Sequence, residues 1–204
     1  MAASSAIYEH ILLPEDRFEC IYLEWLIPIK NETLREYSRR LLKQVVHENP
    51  ILIGTSFGGV VVQEMAQLIT VYKVVIISSI KSNKEFPRRM RLSRKTGLHK
   101  ILPTRLIEYS KLLLKYNFGI ARRKLNMYHN YLSMKDRRYL NWALDAIINW
   151  EQDDPIPNII HIHGDKDPIF PIKYINNCIT VEGGTHVMII HRFRWFNENL
   201  HLLL

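Results

Sequence analysis

The sequence predicts an α/β fold, a mostly parallel sheet flanked by helices with a helical insertion. Three observations carry this expectation. Five short runs rich in aliphatic and β-branched residues punctuate the 204 residues, helical stretches separate or follow most of them, and one long basic stretch interrupts the alternation. Alternating strands and helices imply parallel strands, because each return path is a crossover that covers a face of the sheet. A chain of this length can bury one sizeable core.

The five runs are "CIYLEWL" around Ile21, "ILIG" around Leu52, "KVVIISS" around Val75, "NIIHIHG" around Ile160 and "CITVEG" around Thr180. Their short, continuous apolar character is that of strands buried on both faces. Between the first two, residues Glu32 to Glu48 place Leu34, Tyr37, Leu41, Leu42 and Val45 along one stripe, the spacing of an amphipathic helix. Val60 to Ile69, "VVVQEMAQLI", reads as a second helix. From Lys81 onward the pattern turns helical and basic, punctuated by Pro87 and Pro103, and sheet-like sequence resumes near Pro157. The expected organisation is therefore a core in two parts, residues 1–80 and 153–204, with a helical cap, residues 81–152, inserted between two sheet strands.

Composition narrows the function classes. With 47% hydrophobic residues and no long Gly, Ser or Pro tract, the chain reads as globular and not as disordered. The N-terminus lacks the basic start and apolar run of a secretory signal, and no segment approaches the roughly 18 apolar residues of a membrane span. Two cysteines, Cys20 and Cys178, are too few for a disulfide framework and suit a reducing compartment, so the cytoplasm is the expected location. The net charge of +8 is unevenly spread: Lys81 to Trp150 holds 17 Lys or Arg against four Asp or Glu, a balance of +13, and the remainder carries 11 against 16, or −5. No nucleic-acid-binding signature accompanies this charge, so nucleic acid is not expected as a partner. The basic face is most simply a solvated helical surface. The sharper alternative is attraction of an anionic substrate or surface, for which Arg88, Arg89, Arg91 and Arg94 form the densest patch.

Three pieces of sequence carry chemistry, and each follows a predicted strand. The first is Gly54-Thr55-Ser56-Phe57-Gly58, a G-x-S-x-G pattern between a strand and a helix. A serine there sits on a sharp, strained turn that calls for residues without side chains two positions before and two after it. The second is "HIHGDKDPIFP", His161 to Pro171, which delivers Asp165 or Asp167 to the strand end where parallel sheets bind ligands. The third is "EGGTHVMII", with His186 after the last strand and before a helix. His161-x-His163-x-Asp165 is also similar to a zinc-hydrolase pattern, but such sites need further ligands well downstream, and only His186, His191 and His201 are histidines there. No metal is expected. Cys178 reads as packing.

Together these pieces resemble the α/β-hydrolase superfamily, whose nucleophile, acid and base occur in that chain order. The resemblance covers Ile21 to Ser79 and Asn158 to about Asn199, and it maps the nucleophile to Ser56, the acid to Asp167 through the H-G-x-x-D-x-x-x-P form of His163 to Pro171, and the base to His186. It implies a cofactor-free serine hydrolase for a small-molecule acyl substrate, a carboxylesterase first and a thioesterase next. It also implies an oxyanion hole from the backbone N–H of Phe57 and of a loop residue that falls at Ala2. The strand that precedes this loop in the superfamily is absent here, although it lies centrally between those matching "CIYLEWL" and "ILIG". Either the chain begins too late or the two flanking strands close up directly. An incompletely formed oxyanion hole would leave a hydrolase-like binding protein as the alternative of a different class. Oligomeric state is not legible.

Overall fold

Four of the five expected runs pair as one parallel sheet in a computed structural model that describes residues 3–100, 131 and 133–204. The strands are β1 (Ile51–Thr55), β2 (Lys73–Ile77), β3 (Ile160–Gly164) and β4 (Ile179–Val181), in the spatial order β1-β2-β3-β4. Gly54 pairs with Ile76, Ile76 with His161, and Gly164 with Val181, so all four strands end along one edge. Side chains alternate along each strand, and both faces are buried. Leu52, Val74 and Ile76 join one core cluster, whereas Val75, Ile77, Ile162 and Val181 join another. That two-sided burial is why the runs are continuously apolar.

The helices are α1 (Leu34–Leu41), α2 (Phe57–Ala66), α3 (Arg88–Thr96), α4 (Arg137–Ile148), α5 (Met188–His191) and α6 (Phe193–Leu203). A reciprocal cap starts α1: Thr33 Oγ1 accepts from the Glu36 N–H at 3.2 Å and the Glu36 carboxylate accepts from the Thr33 N–H at 2.8 Å. The predicted stripe buries Tyr37 and Leu41 against α2, and the helix ends sooner than expected, in a 3-10 turn over Leu42–Gln44. Helices α5 and α6 cover the other face with Met188, Ile189, Phe196 and Leu200. From the basic segment, α4 contributes Tyr139, Leu140, Ala143 and Ile147 to the first cluster. The stem of that segment is held by the buried Lys81 and Glu85. The Lys81 ammonium donates to the carbonyls of Asn176 and Asn177, and Glu85 accepts from the backbone N–H groups of Lys81 and Asn176. No helix among the described residues is long and apolar enough to cross a membrane.

Residues Ser5–Tyr8 form a 3-10 turn whose Tyr8 hydroxyl meets Thr55 Oγ1 at 2.8 Å. One expectation is corrected. The run around Ile21 forms no strand, and it does not close up against β1. Side chains take the hydrogen bonds that a ladder would have supplied. The Gln44 amide accepts from the Glu24 N–H (2.8 Å) and donates to the Glu24 carbonyl (3.0 Å). The Tyr37 hydroxyl accepts from the Leu26 N–H (3.0 Å) and donates to the Leu26 carbonyl (3.2 Å). Tyr37→Phe leaves both Leu26 groups without these partners, so a loss of about 1–2 kcal/mol is expected in urea unfolding; a change below about 0.5 kcal/mol would show that water replaces the hydroxyl.

Candidate active site

Ser56 occupies the turn between β1 and α2 with φ 56° and ψ −122°, a backbone conformation that is costly for any residue with a side chain. Its neighbours hold it there. The Ser56 N–H donates to the Ile77 carbonyl at 2.9 Å, and the Ser56 carbonyl accepts from Ser79 Oγ at 2.7 Å and from the Gly59 N–H at 2.9 Å. Ser79 is a supporting residue that the motif gave no reason to single out.

The glycine requirement is partly as expected. A Cβ on Gly54 would lie 2.2 Å from the Gly58 carbonyl oxygen, so strand and helix could not approach. A Cβ on Gly58, however, would meet only the Trp25 ring at 3.9 Å, an ordinary contact. The second demanding position is Gly59, where a Cβ would come within 2.5 Å of Ser79 Oγ. Gly54→Ala is thus expected to cost about 1–3 kcal/mol by overpacking, and Gly58→Ala to stay within about 1 kcal/mol of the parent. Thermal unfolding of the two variants separates them, and equal losses would refute the assignment.

The three strand ends bring Ser56, His186 and Asp167 together. His186 Nδ1 lies 2.9 Å from Asp167 Oδ2, and because a carboxylate only accepts, that nitrogen carries the proton. His186 Nε2 then faces Ser56 Oγ at 2.9 Å with a free lone pair and accepts a hydrogen bond from the hydroxyl. Asp167 is 3% exposed, and its Oδ1 accepts from the N–H groups of Ile169 (2.7 Å) and Phe170 (3.0 Å). Burial alone would raise this carboxyl; the His186 contact and the two N–H donors outweigh it and hold it below its usual value. Asp165 instead pairs with Lys166 at 3.7 Å.

Behind Asp167 lies a buried histidine pair. His163 Nε2 donates to the Phe170 carbonyl at 2.8 Å, which makes its Nδ1 the acceptor for the N–H of His161 Nε2 at 3.1 Å. His163 Nε2 is also 3.6 Å from Asp167 Oδ2. Burial holds both imidazoles below their usual value, His161 well below it. The H-x-H alternation, which puts both rings on one face of β3, was the sequence signal for this pair.

Phe57 opens α2, and the N–H of a first helical residue has no acceptor within its own helix. Ala2, the expected second oxyanion donor, lies outside the described residues. Nearby, Trp25 donates from its ring N–H to the Ala3 carbonyl at 2.8 Å and stacks on the Phe57 ring with centroids 6.0 Å apart. The Ser4 N–H donates to the Tyr131 carbonyl at 2.7 Å. Trp25 therefore ties the start of the described chain to the residue after Ser56.

The four arginines of α3 are not equivalent. Arg94 bonds Glu151 (2.9 Å) and the Trp150 carbonyl (3.3 Å), Arg91 stacks over Tyr174, and Arg88 is exposed. Arg89 donates to the carbonyls of Pro168 and Ile169, beside Asp167.

No protein-family model and no curated protein matches the chain. Solved structures do. A lipase-esterase related protein from Clostridium acetobutylicum aligns over 100% of this chain and 90% of its own, with TM-score 0.64 and 18% identity. A thermophilic esterase from Thermogutta terrifontis aligns over 98% and 86%, with TM-score 0.65 and 10% identity. The 2-hydroxy-6-oxo-6-phenylhexa-2,4-dienoate hydrolase of Rhodococcus sp. covers 84% and 72%, with TM-score 0.54 and 14% identity. The parallel sheet, its flanking helices and these likenesses give the class: the chain has the α/β-hydrolase fold.

Proposed function

We propose that this chain is a serine hydrolase that cleaves a carboxylic ester or related acyl bond through an acyl-enzyme. The observation that carries the reading is the unbroken hydrogen-bonded series Ser56, His186, Asp167 at the strand ends, with Ser56 on a strained turn. Ser56 Oγ attacks the acyl carbonyl while its proton passes to His186 Nε2. Asp167 keeps the imidazole in the needed tautomer and stabilises its protonated form. The Phe57 N–H donates to the developing oxyanion, a contribution typically worth about 3 kcal/mol. His186 then returns the proton to the leaving group, and water repeats the sequence to release the acid. No cofactor enters any step. The names of two aligned structures, an esterase and a lipase-esterase related protein, support an ester ahead of a thioester. We propose residues 81–152 as a cap, of which 101–130 and 132 lie outside the described residues and α3 reaches the 168–170 turn through Arg89.

The test is labelling with a fluorophosphonate, in which a Ser56 oxygen displaces fluoride from phosphorus. Wild type should label and Ser56→Ala should not. Labelling that survives Ser56→Ala, or a wild type inert to the probe, overturns the reading.

A further inference from the structure

The two carbonyls held by Arg89 belong to particular peptide units. Arg89 Nη2 lies 2.6 Å from the Pro168 oxygen and 2.7 Å from the Ile169 oxygen. The Pro168 carbonyl shares its peptide plane with the Ile169 N–H, and the Ile169 carbonyl shares its plane with the Phe170 N–H. Those N–H groups are the two that donate to Asp167 Oδ1. One guanidinium nitrogen on α3 therefore pulls on both peptide units whose other ends grip the acid. A cation on a carbonyl polarises its amide and makes the N–H a stronger donor, and such bonds in series reinforce one another. The Arg91 guanidinium, 5.8 Å from the Tyr174 ring centroid, adds a second tie between α3 and the chain that follows the acid.

We propose that Arg89 is a positioning residue, not a steering charge: it clamps the 168–170 turn and thereby fixes Asp167 against His186, coupling the seat of α3 to the catalytic geometry. This rests on the serine-hydrolase reading above. It separates Arg89 from Arg88, Arg91 and Arg94, with which it forms a single basic patch in the sequence.

The full chain, Arg89→Ala, Arg89→Lys and Lys95→Ala are compared on a neutral ester and on an ester bearing a carboxylate, and amide hydrogen exchange is followed at Ile169 and Phe170. In Arg89→Ala, kcat should fall roughly tenfold or more on both esters alike with KM nearly unchanged, since the loss is one of alignment. Exchange at the two amides should rise. Because one nitrogen makes both bonds, a lysine ammonium can bridge the same carbonyls, and Arg89→Lys should recover most of kcat. Lys95→Ala removes a charge from the same helix and should keep the wild-type kcat. A rise in KM confined to the anionic ester, with kcat intact, would overturn the proposal in favour of steering. Unchanged exchange in Arg89→Ala would overturn the clamp itself. Exchange is read without catalysis, so a wild type inert to fluorophosphonate would refute the hydrolase reading separately.

Discussion

Asp167→Asn should lower kcat about 10⁴-fold while the fold survives. The reason lies in the partners on each side of the carboxylate. Oδ1 accepts from two backbone N–H groups and Oδ2 from His186 Nδ1–H, so all three neighbours are donors. An asparagine has one oxygen and one NH₂ to place. With the oxygen toward Ile169 and Phe170, the NH₂ faces His186 and forces Nδ1 to become an acceptor. The imidazole proton then moves to Nε2, where it points at Ser56 Oγ and cannot take the hydroxyl proton. With the amide flipped, the NH₂ confronts two backbone donors, a worse arrangement. The first orientation wins, and the base is lost through its tautomer. Turnover of an activated ester, with near-ultraviolet circular dichroism as the check on folding, measures this. Activity within tenfold of wild type would remove Asp167 from the acid role. Asp165→Asn, at a residue that meets Lys166, should change turnover by less than about threefold.

The sequence foretold best what depends on local chemistry. Gly54 and Ser56 sit between a strand and a helix, and the collision that a side chain at Gly54 would cause is a property of that turn alone. That Asp167 and His186 meet was legible because each follows a strand, and parallel strands end on one edge. The run around Ile21 was misread for the opposite reason. "CIYLEWL" has the composition of a strand, but a strand exists only where a neighbour supplies its ladder, and here Gln44 and Tyr37 supply those bonds from side chains. Composition cannot report which partner the backbone finds.

Glycine 59 and Arg89 show a second limit. The need for Gly59 comes from Ser79, two residues beyond the end of β2, and nothing in G-x-S-x-G points there. Arg89 lies 79 residues from Pro168, so its contact depends on how α3 packs and not on any motif. A basic run invites a reading by charge, whereas the structure sorts its members by what each guanidinium touches.

Stability should fall steeply as pH drops below about 6.5, through two buried histidines. His161 and His163 are buried, and burial keeps their folded-state pKa values below the ordinary 6.5. In the unfolded chain both imidazoles bind protons as pH falls through 6.5, whereas the folded chain holds them neutral, with the proton pattern set by the Phe170 carbonyl. The unfolded state then binds more protons, so the stability present above pH 6.5 is lost as pH decreases. Each histidine costs about 1.4 kcal/mol per pH unit inside its window, roughly 3 kcal/mol per unit while both are neutral in the folded state. His163 leaves its window first, because the Phe170 carbonyl and Asp167 oppose its shift, and His161 continues to lower pH with His163 and Lys81 adding to the effect of burial. Asp167 acts elsewhere: its lowered pKa contributes stability that is present above the ordinary 3.8 and is lost only as pH falls below that value. Urea midpoints between pH 7.5 and 5 measure the histidine window. His161→Gln keeps an N–H donor for His163 Nδ1 but cannot titrate, and it should remove about half of the slope. A wild type equally stable at pH 7 and pH 5 would mean that the pair is protonated within the fold.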